Sequence, residues 1–225
     1  NKLGFDGFSA LQTAAQAELS ERLRPAAHRI REGSESPTID RHIQVETSNV
    51  ARTVGGADSS TIALAVSRLA AARSQVFVVS GDASRGVAAQ FLHDLDALRS
   101  GVVLVDGNEV AVLRSLALIE EGDVLVAIDL RRYDRWVVDA VCTASGARAW
   151  CLALTDSVLS PLAEIADATL IVHADADGPF DSHVGTLALL NMLVAGVASK
   201  SRRPATARLE RAEGAWRNGD ALTDS

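Results

Sequence analysis

The stretch VAIDLRRYDRWVVDAV, residues 126–141, contains the change of periodicity that decides the fold. Its first residues extend an apolar run that begins at Val124 and ends at Ile128, and this run reads as a buried strand. Tyr133, Trp136, Val137, Ala140 and Val141 then recur at helical spacing. A buried strand giving way to a helix within a few residues is the unit of a parallel α/β sheet. Ligands of such sheets sit at the carboxyl edge of the strands, where this junction lies. The junction holds Asp129, Arg131, Arg132 and Asp134, where small hydroxyls and glycine would suit a phosphate.

The same alternation runs outward in both directions. QVFVVS (75–80), VVLV (102–105), DVLVAI (123–128), AWCLAL (149–154) and ATLIVH (168–173) read as strands. Helical patterns follow them over 84–98, 108–121, 132–145, from Pro161, and over 181–199. Continuous apolar strands mean a sheet covered on both faces. The fold class is α/β, a doubly wound, flavodoxin-like parallel sheet of five strands. Two helical stretches, 42–54 and 58–73, precede it, and an amphipathic helix with Leu209, Ala212, Ala215 and Trp216 follows it. That last helix is expected to pack back on the domain or on a partner.

Upstream, Ser9 is placed to cap a helix whose Leu11, Ala15, Leu19 and Leu23 share a face, with Pro25 breaking it. Gly4 and Phe5 read as the end of an earlier helix, so residues 1–3 look like its tail. REGSESPTIDR is polar and breaks the pattern. The expected organisation is therefore a helical remnant over 1–30, a linker over 31–41, the α/β domain over 42–199, and a terminal helix and tail over 200–225.

Of the 225 residues 48% are hydrophobic but only 4% aromatic, which favours helices on a Val-rich sheet over an aromatic β-sandwich. A net charge of −7 argues against a chain-wide polyanion-binding surface. No apolar run is long enough for a membrane span, no secretory signal pattern opens the chain, and a cytoplasmic location without a membrane partner is expected. Cys142 and Cys151 lack any metal-ligand spacing and read as buried structural thiols. Neither a metal nor a cofactor is called for, and no catalytic constellation stands out.

Candidate ligand residues cluster at the strand ends. After the first strand, Ser80, Asp82 and Ser84 lie where a helix N-terminus offers free N–H groups to an anion, although Ser84 also suits a plain helix cap. After the third, Asp129, Arg131 and Arg132 allow three arrangements. An inward guanidinium pairs with Asp82 or Asp129, or reaches an anionic ligand, or both arginines stay in solvent. Thr155 and Ser157 end the fourth strand, with Ser160 placed to cap the helix at Pro161. Ser182 and His183 enter the long helix, where Asp181 or Ser182 is expected to cap it; His183 and His93 are the histidines expected near a cleft.

These segments resemble the RpiR-type bacterial transcriptional regulators, which join a helix-turn-helix domain to a sugar isomerase (SIS) domain. NKLGFDGFSALQ resembles the end of the recognition helix, VVSGDASRGVA the first SIS loop, LTDSVLSPLAEIAD the fourth-strand signature and FDSHVGTLALLNMLVAGVA the closing helix. The resemblance implies a transcription regulator that senses a small anionic effector such as a sugar phosphate. It further implies a dimer or higher homo-oligomer, with an operator contacted through the mostly missing N-terminal domain. Ser84 matches the family's phosphate loop, whereas Asp82 replaces a glycine. The family's Ser-x-Ser-Gly-x-Thr aligns with Asp129 to Asp134, and all its hydroxyls and its glycine are gone. Two other functions stay open: a ligand-free assembly module whose pocket is filled by Arg–Asp pairs, and a sugar-phosphate isomerase using His183 or His93. The apolar face of the last long helix (Leu187, Leu190, Met192, Leu193, Val194, Val197) suits an interface or ordinary core.

Overall fold

A computed structural model describes residues 25–32, 38–71 and 73–221. The expectations placed on residues 1–24 and on the middle of the linker lie outside the described residues. The elements are α1 (Ala26–Glu32), α2 (Ile39–Gly56), α3 (Ser59–Leu69), β1 (Val76–Ser80), a 3-10 turn (Asp82–Ser84), α4 (Arg85–Leu98), β2 (Val102–Leu104) and α5 (Glu109–Leu116). They continue as β3 (Val124–Ile128), α6 (Arg135–Gly146), β4 (Trp150–Thr155), α7 (Pro161–Ile165), β5 (Ala168–Ile171), α8 (Val184–Lys200) and α9 (Arg202–Asn218). All five strands are parallel, in the order β2-β1-β3-β4-β5.

This is the doubly wound sheet expected from the apolar runs. The order reverses between β1 and β3, so the loops after those strands flank the place where such sheets bind ligands. Alternate residues of each strand serve two cores. Val76, Val78, Val126, Ile128, Leu152 and Leu154 meet α3, α4 and α8 on one face. Phe77, Val79, Leu125, Ala127, Cys151 and Ala153 meet α5, α6 and α7 on the other.

Several boundaries moved for local reasons. Thr38 caps α2, its hydroxyl accepting the Arg41 N–H, so the helix begins inside the expected linker. The helix expected over 108–121 stops at Leu116, and the Asp123 carboxylate accepts the N–H groups of Glu120 and Gln75 to form the turn into β3. Ser160 caps α7 as expected. Asp181 gives no cap to α8; the Ser182 hydroxyl accepts the Val184 N–H instead. The apolar face of α8 is mostly core: Leu189, Leu190, Leu193 and Val197 are buried against α2, α3 and α4. Gly185 permits that approach, since a Cβ there would lie 2.7 Å from Thr53 Oγ1 and 2.9 Å from the His173 carbonyl. The terminal helix α9 packs against α4, where Arg208 bonds Asp96. Cys151 is buried as expected, but Cys142 is exposed, because it falls on the solvent side of α6. Among the described residues no single helix is long and apolar enough to cross a membrane.

Candidate functional site

Parallel pairing of β1 with β3 brings the two suspected loops together. Gly81 N–H donates to the Ile128 carbonyl at 3.0 Å, and Asp82 N–H donates to Asp134 Oδ2 at 2.9 Å. Residues distant in sequence thus form one polar surface at the sheet's switch point.

Asp129 fills that surface from within. Its side chain is buried, Oδ1 accepting the Leu130 N–H at 2.9 Å and Oδ2 the Asp134 N–H at 2.7 Å. Burial pushes its carboxyl up to about 6, with the Asp134 and Asp156 carboxylates adding to the rise and the two N–H donors opposing it. Gly81 runs directly over this carboxylate: a Cβ at 81 would lie 2.1 Å from Oδ1. Backbone donors that suit a bound anion are therefore taken by carboxylates of the chain itself. Asp129 holds two, and Asp134 holds the N–H at the start of the 3-10 turn.

The arginines do not point into this surface. Arg131 adopts φ +61, and Arg132 N–H donates back to the Leu130 carbonyl at 2.7 Å, closing a γ-turn. The Arg131 side chain leaves toward the β5–α8 loop, reaching the Ala174 carbonyl, Asp175 and Asp181 at 3.3 Å each. Pairing with Asp82 or Asp129 is thus corrected, because the left-handed turn throws the guanidinium to the β4–β5 side. Arg132 is exposed and enters no ion pair among the described residues. The cation beside Asp82 is Arg85, at 3.5 Å, and Arg85 also grips Asp106 at 2.8 Å.

The remaining candidates divide sharply. The Ser84 and Thr155 hydroxyls are buried and have no hydrogen-bond partner; Ser84 makes no cap bond. Ser157 accepts the Leu159 N–H in a tight turn, and Ser182 donates to Glu46 of α2, tying the start of α8 to that helix. His183 lies against Ala83 of the first loop, and burial moves its imidazole below the ordinary value, with Asp181 and the Ala83 backbone opposing. Its Nδ1 is buried without a partner. His93 sits on the exposed side of α4, away from the strand ends.

A cavity of about 710 Å³ opens beside the switch point, between the start of α4, the β2–α5 loop and the first turns of α6. Ser80, Asp82 and Asp134 line it, together with Arg85, Asp106 and Trp136. The last three escaped the sequence reading. Arg85 follows Ser84 directly and Trp136 opens an amphipathic helix, so position next to a strand-end loop was the available signal. Among the described residues no cluster of His, Cys, Asp and Glu is arranged to hold a metal ion.

A model of the SIS domain matches residues 68–196, which include both loops and the cavity. The chain belongs to the SIS domain family. This SIS domain resembles the sugar isomerase domain of an RpiR transcription factor from Sphaerobacter thermophilus, at 28% identity and a TM-score of 0.71, over 76% of this chain and 97% of that one. The Vibrio vulnificus NanR protein, solved with ManNAc-6P, aligns over 99% of this chain and 79% of its own, at 18% identity and a TM-score of 0.70. A Methanococcus jannaschii protein whose structure was used to infer a 3-hexulose-6-phosphate isomerase function shares the SIS fold at 15% identity and a TM-score of 0.59, over 75% of this chain and 95% of that one. No curated protein sequence matches the chain.

Proposed function

We propose that this SIS domain is the effector-sensing and self-associating part of a transcriptional regulator that contacts its operator through a helix-turn-helix N-terminal to it. The observation carrying this reading is a shared carboxylate. Asp181 accepts Arg29 of α1 at 2.9 Å and Arg131 of the switch-point loop at 3.3 Å, all three side chains being less than one-fifth exposed. The first described helix is thereby tied to the loop beside the cavity. Asn49 of α2 holds the same β5–α8 loop: its amide donates to the Asp175 carbonyl at 2.7 Å and accepts the Asp175 N–H at 3.1 Å. An effector that shifts the 129–134 turn changes which partner holds Asp181, and a difference in affinity between the two arrangements is what alters DNA binding. The 28% identity to the RpiR domain, spread over nearly all of that domain, supports the same reading.

The geometry favours a sensor over an isomerase. An isomerase of this fold needs an acid/base pair beside the sugar carbons. His183 is not among the cavity-lining residues, and Asp181, the carboxylate acting on its imidazole, is already held by two arginines. The test is fluorescence anisotropy of the full regulator on genomic DNA fragments it selects, with and without sugars, amino sugars and sugar phosphates. At least one compound is expected to move the DNA-binding midpoint about tenfold, a coupling of about 1.4 kcal/mol. Arg29→Ala is expected to shrink that shift. No response to any compound would leave the ligand-free assembly module. Aldose–ketose interconversion lost in His183→Ala would establish the isomerase.

A further inference from the structure

Resting on the sensing role proposed above, we infer that the effector carries a protonated amine, on a sugar ring or an aliphatic body, in place of a phosphate. The cavity has a size usual for small-molecule sites, and its charge is one-sided. Among the described residues Asp82, Asp106, Glu109, Asp134 and Asp139 line it against a single guanidinium, Arg85. That guanidinium is already held by both Asp106 oxygens, at 2.8 and 3.0 Å, and by Asp82 at 3.5 Å. A phosphate entering here would meet carboxylates, while the one lining guanidinium is already paired. It would also find the N–H groups of Asp82, Leu130 and Asp134 bonded to Asp134 and Asp129. An ammonium meets the opposite situation, several acceptors around one mouth.

Ser80 is an independent sign that the cavity receives a polar ligand. It lies at the carboxyl end of β1, is 6% exposed and lines the cavity, and no hydrogen bond to another described residue holds its hydroxyl. Unlike the Ser84 and Thr155 hydroxyls it is not sealed off, so it opens onto the cavity and is available to a polar ligand. Leu104, Leu113 and Trp136 supply an apolar wall, on which a sugar face or hydrocarbon chain rests while the indole ring attracts the cation.

Isothermal titration of the 225-residue protein with glucosamine, N-acetylglucosamine, glucose 6-phosphate and putrescine tests this. Glucosamine is expected to bind and to weaken with added salt. Asp139 is exposed and its carboxylate supports no other group, so Asp139→Asn folds normally and is expected to weaken glucosamine about fivefold. Arg85→Ala is expected to leave glucosamine binding intact or tighten it, since it removes a competing cation. Putrescine binding without glucosamine upholds the amine and places it on an aliphatic body. Glucose 6-phosphate or N-acetylglucosamine binding at least as tightly as both amines, or weakening on Arg85→Ala, overturns the amine while leaving the sensing role intact. If none of the four binds, the amine is overturned; whether sensing falls too is read from the wider effector panel on DNA.

Discussion

Gly81→Ala examines the internal filling of the switch point directly. Gly81 has φ −61, an ordinary value for alanine, so backbone strain is not at issue. The added Cβ would lie 2.1 Å from Asp129 Oδ1, 2.5 Å from Cγ and 2.8 Å from Oδ2. The carboxylate must therefore retreat by about 1 Å to restore ordinary packing. It is a short side chain held at both oxygens, so retreat breaks its bonds to Leu130 and Asp134. Bonds to charged groups are worth about 1.5–3 kcal/mol each, and partial relaxation recovers some of that. Expected destabilisation is about 3–5 kcal/mol, read as a lower urea midpoint with an unchanged slope. In an Asp129→Ala background the same substitution meets no carboxylate and should cost less than about 1 kcal/mol, giving a coupling of at least about 2 kcal/mol. Equal costs in the two backgrounds, or a cost under about 1 kcal/mol in the wild type, would refute the filled cradle.

Asp129→Asn addresses the same group through pH. Its folded-state pKa of about 6 exceeds the ordinary 3.8, so the native state binds the proton more tightly and wild-type stability falls as pH rises through that window. Urea titrations should show Asn gaining on wild type by about 2 kcal/mol between about pH 4 and about pH 7; a flat difference contradicts the raised pKa. Arg131→Gly should be more stable than Arg131→Ala by about 0.5–1 kcal/mol, because only the former relieves the positive φ, and thermal melts of the pair decide it. Gly185→Ala should cost about 2–3 kcal/mol, since the new methyl strikes Thr53 and the His173 backbone; an unchanged Tm would show that α2 and α8 can separate freely. A thiol reagent should label Cys142 in the native protein and Cys151 only after denaturation, burial having pushed the Cys151 thiol up to about 12.

Strand and helix identity followed from periodicity alone, because a strand covered on both faces must be apolar throughout and a surface helix apolar on one side. That is why Val124–Ile128 and the helix containing Val137 and Val141 were legible in residues 126–141. The adjacency of the loops at 81 and 129 was legible too, since a doubly wound order places the ends of β1 and β3 side by side. Polar residues that act through distant partners were not legible. Asn49 and Thr53 of α2 are fully buried because they bond the backbone at Asp175 and His173, across more than a hundred residues of sequence.

The sequence by itself determined a parallel α/β sheet with a ligand-type turn at Asp129–Asp134, and that its charges depart from a phosphate site. Only the tertiary structure decided where those charges go. Asp129 turns inward onto backbone donors, Arg131 turns outward to Asp175 and Asp181, and Arg85 becomes the cation of the cavity. The physical reason is that hydrophobic period is a property of one segment, read from its own residues. The direction of a charged side chain is set by the nearest opposite charge or free N–H, and those are supplied by segments far away in the chain.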